Sequence, residues 1–239
     1  PRGRLTNDGT TNDYAALNAI IQAAPDGSII YLPDFTGNGY RIDGTIILPT
    51  NKSLRVFGSK TTIKTNNAGE SAVFRILNGS SASTDPRHLI DGFRFQAVTT
   101  GQGCGVRVSD SQEQTVRNCI FQGLQVGVLL QNVSIWTEGT TLDGLSFWDC
   151  DKGIKITKGA SANASLAGTR FRDINIMSMY GAASSTPVGI SVETGASIYR
   201  AQFDSTIVFP DKNNSTGFYC DGDLSRSEER RVGKECEVP

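Results

Sequence analysis

The chain has 239 residues, with 23 Lys and Arg against 24 Asp and Glu, for a net charge of -1. That near-neutral balance argues against nucleic-acid binding, which needs a basic face to neutralise phosphates. No apolar run approaches the roughly 20 residues needed to span a bilayer, so membrane insertion is not expected. With 26 Gly, 8 Pro and 2 Met, and abundant Ser, Thr and Asn, the composition favours short strands joined by tight turns over helical bundles.

The first element is a helix. Tyr14, Leu17, Ile20, Ile21 and Ala24 recur at helical spacing. Thr11 or Asn12 can cap its start, and Pro25 with Asp26-Gly27 ends it. Short strands follow at Ser28–Pro33, Gly44–Leu48, Leu54–Phe57 and Thr61–Lys64.

The central region repeats. Ile90-Asp91-Gly92-Phe93-Arg94-Phe95, Val116-Arg117-Asn118-Cys119-Ile120-Phe121, Leu142-Asp143-Gly144-Leu145-Ser146-Phe147 and Phe171-Arg172-Asp173-Ile174-Asn175-Ile176 share one pattern, with starts 26, 26 and 29 residues apart. A second series interleaves: Gly105-Val106-Arg107-Val108, Gly127-Val128-Leu129-Leu130, Gly153-Ile154-Lys155-Ile156, Gly189-Ile190-Ser191-Val192 and Gly217-Phe218-Tyr219-Cys220. A period of this size cannot bury its own apolar residues, but stacked periods can, by piling equivalent side chains into columns. Three columns are predicted: Phe95, Phe121, Phe147 and Ile176; Phe93, Cys119, Leu145 and Ile174; and Val108, Leu130, Ile156, Val192 and Cys220. Cys119 and Cys220 are thereby expected in the core, and not in a disulfide or metal site. The glycine at each strand start is expected to permit a sharp corner. Excess length, as in the 36 residues from Gly153 to Gly189, is expected to bulge outward. The fold predicted is all-β, a parallel β-helix with a short N-terminal capping α-helix.

The segment DGTTNDYAALNAII, followed by IIYLPDFTGNGYRIDGTIIL, resembles the opening of the pectate-lyase-like superfamily of single-stranded right-handed parallel β-helices. Asn12 stands where that opening usually has the first of two aspartates. The Gly-Val-x-Val coils and Trp136-Thr137-Glu138-Gly139 resemble bacteriophage tail spikes and tail fibres within the superfamily. The resemblance covers roughly residues 6–224. It implies action on polysaccharide, a homotrimeric assembly, and a place in a virion tail or outside the cell.

Chemistry is sparser. Polygalacturonase-like relatives carry aspartates just before a Gly-Ile-x-Ile strand. Here Asp149-Cys150-Asp151-Lys152-Gly153 resembles that arrangement, while the accompanying His and Arg-x-Lys motifs are not recognisable. Asp149, Asp151 and Lys155 are therefore the catalytic candidates, as a carboxylate pair or as the base and acidic groups of a lyase. Ca²⁺ is conceivable only in the lyase case; no other cofactor is called for, and no metal site is predicted. The competing reading of Asp149 and Asp151 is as solvated turn residues. Val133 and Ile135 are expected to alternate inward, so Ser134, Trp136 and Glu138 should point outward. Likewise Phe147 inward places Trp148 outward beside Asp149. Trp136, Glu138, Trp148 and Arg107 are the sugar-contact candidates, since an indole face stacks on a sugar ring and carboxylates accept its hydroxyls. The outward row Arg107, Leu129, Lys155, Ser191, Tyr219 contains no carboxylate, and Leu129 in it suggests a subunit contact.

Residues 226–236, RSEERRVGKEC, look like a translated sequencing adapter. The expected organisation is a segment 1–27 with the capping helix, a C-terminally truncated β-helix over 28–224, and a non-native tail over 225–239. Three functions compete: a tail-spike or tail-fibre segment that binds, or binds and depolymerises, a host-surface polysaccharide; a secreted polysaccharide lyase or glycoside hydrolase; and a non-catalytic structural solenoid.

Overall fold

The computed structural model describes residues 5–77, 86–159, 166–222 and the backbone of 228–229. Most of the 225–239 tail lies outside these. The helix spans Tyr14–Ala23 and buries Leu17 and Ile21 against the first coils. Its start is fixed by Asn12, whose Oδ1 accepts the Tyr14 N–H at 3.1 Å. Asp13, at the N-cap, makes no side-chain cap; its carboxylate instead accepts the Thr6 N–H at 2.8 Å.

Every strand pairing among the described residues is parallel, and the strands wind through three sheets. The first sheet carries Ile29–Leu32, Arg55–Thr65, Leu89–Ala97, Thr115–Arg117 with Ile120–Gln122, Thr141–Trp148, Arg170–Ser178 and Gln202–Asp204 with Ile207–Val208. The second carries Ile46–Ile47, Ala72–Leu77, Cys104–Ser109, Val126–Asn132, Lys152–Lys158, Val188–Val192 and Thr216–Cys220. The third is narrow, with Thr137–Glu138, Leu166–Ala167 and Ile198–Tyr199. Successive coils alternate between the first sheet and the second, and three of them also pass through the third, so the architecture is a β-helix.

Two of the three predicted columns are in register throughout; of the other, Leu145 pairs with Ile174, and Phe93 and Cys119 are buried in the same core. Phe95, Phe121, Phe147 and Ile176 are register partners on successive coils. Their rings stack at 5.2 Å and 5.0 Å between centroids, 11° and 12° from parallel. Val108, Leu130, Ile156, Val192 and Cys220 align likewise. Cys220 is in register yet exposed, because no further second-sheet strand among the described residues lies over it. Cys104, Cys119 and Cys150 are the buried thiols, and burial raises the Cys119 and Cys150 thiols to about 12.

The repeated glycines have a different cause from the one expected. Gly105, Gly127, Gly153, Gly189 and Gly217 do not adopt a left-handed backbone. At Gly105 a Cβ would meet the Phe121 ring at 2.5 Å, and at Gly127 the Phe147 ring at 2.5 Å. The aromatic column therefore packs directly on main chain at the second sheet, and a side chain there would displace it.

A second regularity runs on the outer face of the first sheet. Asp91, Arg117, Asp143, Arg172 and Asp204 are register partners in succession. Charge alternates along this row. Arg117 Nε donates to Asp91 Oδ2 at 2.8 Å, and Asn118 Nδ2 donates to the other Asp91 oxygen at 2.9 Å. Opposite charges facing across strands contribute about 0.2–1 kcal/mol each.

Candidate functional site at the Trp148 corner

Each coil turns from the first sheet into the second at a corner. Trp148 ends one first-sheet strand there, beside Gln122 on one neighbouring coil and Ser178 on the other. Its indole is 42% exposed, as the outward placement required. The register slips by one residue between Phe147 and Trp148, which leaves Met177 as an additional exposed side chain. Phe209, also exposed, continues the edge on the next coil, its N–H donating to Ile176 O at 2.9 Å. Tyr180 stands exposed two residues beyond Ser178.

Asp149 makes the corner itself, with φ of 54°. The preceding coil uses Gly123 at φ 65° for the same turn. Asp is among the few side chains tolerated in this left-handed region, and here the carboxylate has a task that glycine cannot perform. Asp149 Oδ1 accepts the Gly181 N–H at 2.8 Å and lies 3.1 Å from the Ser178 hydroxyl. That hydroxyl also lies 2.9 Å from Asp211 Oδ2, while Asp211 Oδ1 accepts the Met179 N–H at 2.6 Å. Ser178 has one proton to donate, so it serves one of the two carboxylates at a time. Partial burial pulls the Asp211 carboxyl upward, but the bonds from Met179 and Ser178 outweigh it and hold the group below the usual carboxylate range.

Asp151 faces the same loop, accepting the Ser184 N–H at 2.6 Å. Lys212 Nζ donates to the Ala182 and Ser184 carbonyls at 2.5 Å and 2.8 Å. Loop 179–187 is thus tied down from both neighbouring coils. It accounts for much of the long 36-residue period.

The remaining predicted residues lie elsewhere. Lys155 is on the second sheet, and its ammonium is held by Glu70 at 2.6 Å, not by Asp149 or Asp151. Arg107 is three residues into another second-sheet strand, partly exposed. Trp136, 41% exposed, and Glu138 sit at the third sheet, away from the Trp148 corner. The bend before them differs from the expected alternation. Val133 and Ile135 are only half-buried, because Asp110 gathers the backbone there by accepting the N–H groups of Val133, Ser134 and Ile135 at 2.7, 3.1 and 3.3 Å. Leu129 is not exposed as expected. It is 1% accessible and packs with Ala72, Cys104 and Val126 in a small cluster outside the coil.

Among the described residues no group of three or more His, Cys, Asp or Glu side chains is placed to hold a metal ion. Asp149 and Asp151 are each turned to a loop N–H, so the donor set does not fit a carboxylate-held Ca²⁺. No helix among them is long and apolar enough to cross a membrane. Asp211, Tyr180 and Phe209 were not singled out by sequence; they lie in corners, where the repeat pattern carries no signal.

No protein-family model matches the chain, and no curated protein matches it. Among solved structures, tailspike protein 3 of bacteriophage CBA120 aligns at 11% identity and a TM-score of 0.45, covering 92% of this chain and 42% of that one. ORF18 of Geobacillus virus E2 aligns at 13% identity and a TM-score of 0.41, covering 94% of this chain and 59% of that one. The chain is similar to these two phage proteins. It spans less than two thirds of either.

Proposed function

We propose that the Trp148 corner binds a polysaccharide, as part of a tail-spike-like β-helix. The supporting observation is the exposed indole of Trp148 set beside the Asp149–Ser178–Asp211 array. An indole face takes the apolar face of a sugar ring, and carboxylates and a hydroxyl at its edge take the ring hydroxyls. Tyr180 and Phe209 extend the aromatic surface along successive coils, in keeping with an extended chain ligand. The virion or extracellular location and the homotrimer belong to this proposal through the sequence resemblance.

Hydrolysis has one observation in its favour. The two bonds to Ser178 bring an oxygen of Asp149 and one of Asp211 to no more than about 6 Å from each other, and glycosidases work with a pair of neighbouring carboxyl groups. Such chemistry needs one carboxyl kept protonated as the acid. Asp211 is held in the opposite direction, so binding is the reading preferred over turnover. The candidates Lys155, Arg107, Trp136 and Glu138 have no part in this corner.

The test is a panel of bacterial surface glycans, screened against the wild type, Trp148→Ala and Trp136→Ala at equal thermal stability. Binding that Trp148→Ala reduces at least tenfold, and Trp136→Ala leaves intact, supports the proposal. Binding unchanged in Trp148→Ala, or none on any glycan, overturns it. Reducing ends or unsaturated product released from the bound glycan would make the chain an enzyme.

A further inference from the structure

The interior of the coil is apolar along most of its girth but carries a polar flank. Backbone bonds run from Thr115 N–H to His88 O, from Thr141 N–H to Gln114 O, from Arg170 N–H to Thr140 O and from Gln202 N–H to Thr169 O. His88, Gln114, Thr140 and Thr169 therefore stand over one another on successive coils, at the corner leading into the first sheet. Leu54 and Ala201 sit at the two ends of this file and belong to the core, so its side chains face inward. A parallel file runs at the third sheet. Ser111 and Thr137 are stacked there, and the file continues as Leu166 and Ile198, which are also core residues.

Ser111, Thr137, Thr140 and Thr169 are each at most 1% accessible. Their hydroxyl oxygens have no hydrogen-bond partner among the described residues. The Gln114 amide is already committed to the His88 N–H and to the Pro86 and Gln112 carbonyls. A buried hydroxyl without a partner is costly. Four of them on adjacent coils share one cause if a small polar molecule lies between them. Equivalent positions on neighbouring coils are about 4.8 Å apart. One water, with hydrogen bonds of about 2.8 Å to each of two such oxygens, spans that gap at an angle of about 120°. Each hydroxyl offers one donor and two acceptor sites, enough to supply the two to four partners that a buried water takes.

We propose that this flank of the coil interior binds a file of ordered water, one molecule bridging Thr140 to Thr169 and another bridging Ser111 to Thr137. The solenoid then has a dry side, where the phenylalanine column packs on second-sheet glycines, and a wet side at the third sheet. The inference is independent of the polysaccharide reading.

The experiment compares the full chain with Thr140→Val, Thr169→Val and the double variant, which exchange a hydroxyl for a methyl group. Hydroxyls bridged by water lose a bond on substitution, so each single variant should lower the urea midpoint. The second substitution should lower it less than the first, because the bridge is then already broken. Dry, unpartnered hydroxyls would behave oppositely, since valine would remove their desolvation cost and raise the midpoint. In parallel, NMR cross-relaxation with water is read at the β and methyl protons of Thr140 and Thr169. Long-lived water contacts should appear there in the wild type and vanish in the double variant. Thr61, whose hydroxyl donates to Leu32 O at 2.5 Å, is the control and should show none. Midpoints that stay or rise, or no water contact at Thr140 and Thr169, would overturn the proposal. A midpoint raised by potassium chloride and not by equal choline chloride would assign the file to a cation and overturn it likewise.

Discussion

The Phe147 ring lies 2.5 Å from where a Cβ on Gly127 would stand. The contact leaves no room for even one methyl group, so the glycine is a packing requirement of the aromatic column. Gly127→Ala should destabilise the protein by about 1–3 kcal/mol, the usual range for overpacking a filled core. The check is a denaturant midpoint. An unchanged midpoint would mean that the column moves freely.

Asp110 is almost fully buried and organises the bend before the third sheet through three backbone N–H groups. Asp110→Ala should destabilise by about 1–3 kcal/mol or more, since it strands those donors. Amide exchange should accelerate at Val133, Ser134 and Ile135 before anywhere else. Uniform acceleration across the coils would instead indicate that the bend opens only with the whole fold.

His88 is buried, and burial lowers its pKa to about 4 from an ordinary 6.5. The neutral ring with its proton on Nε2 donates to Pro49 O at 3.2 Å and accepts the Leu54 N–H at Nδ1, 3.3 Å away. Protonating Nδ1 would remove that acceptor. Between pH 6.5 and 4 the unfolded chain binds the proton and the folded chain does not, so stability falls as pH falls through this window. The loss attributable to this ring reaches about 3 kcal/mol at the lower end. Urea midpoints measured every half pH unit should fall for the wild type and change less for His88→Gln.

Cys104, Cys119 and Cys150 are buried, and burial pushes their thiols upward. Cys220 is exposed. A short pulse of iodoacetamide on the native protein, mapped by peptide mass, should label Cys220 and spare Cys104, Cys119 and Cys150. Labelling of Cys119 within the pulse would show that the Phe93 side of the coil opens readily.

The repeat was legible because a column tolerates only similar side chains. Phe95, Phe121 and Phe147 had to recur for their rings to stack, and the recurrence fixed both period and register. The expectation for Leu129 failed because alternation distinguishes inside from outside but not whether an outer residue is covered. Here the outer cluster and the Lys155–Glu70 pair cover it. At the Trp148 corner, Trp148 and Asp149 could be found from their place beside a periodic strand. Asp211, Tyr180 and Phe209 could not, because corner and loop lengths vary from coil to coil and no spacing rule reaches them.

The row from Asp91 to Asp204 alternates acid and base on consecutive coils. Excising the single coil that bears Arg117 would seat Asp143 against Asp91, and excising the one that bears Asp143 would seat Arg172 against Arg117. Removing or duplicating two neighbouring coils would keep every contact of opposite sign. The row thus imposes a parity on the solenoid: at this face it can be lengthened or shortened by recombination only in pairs of turns without setting like against like.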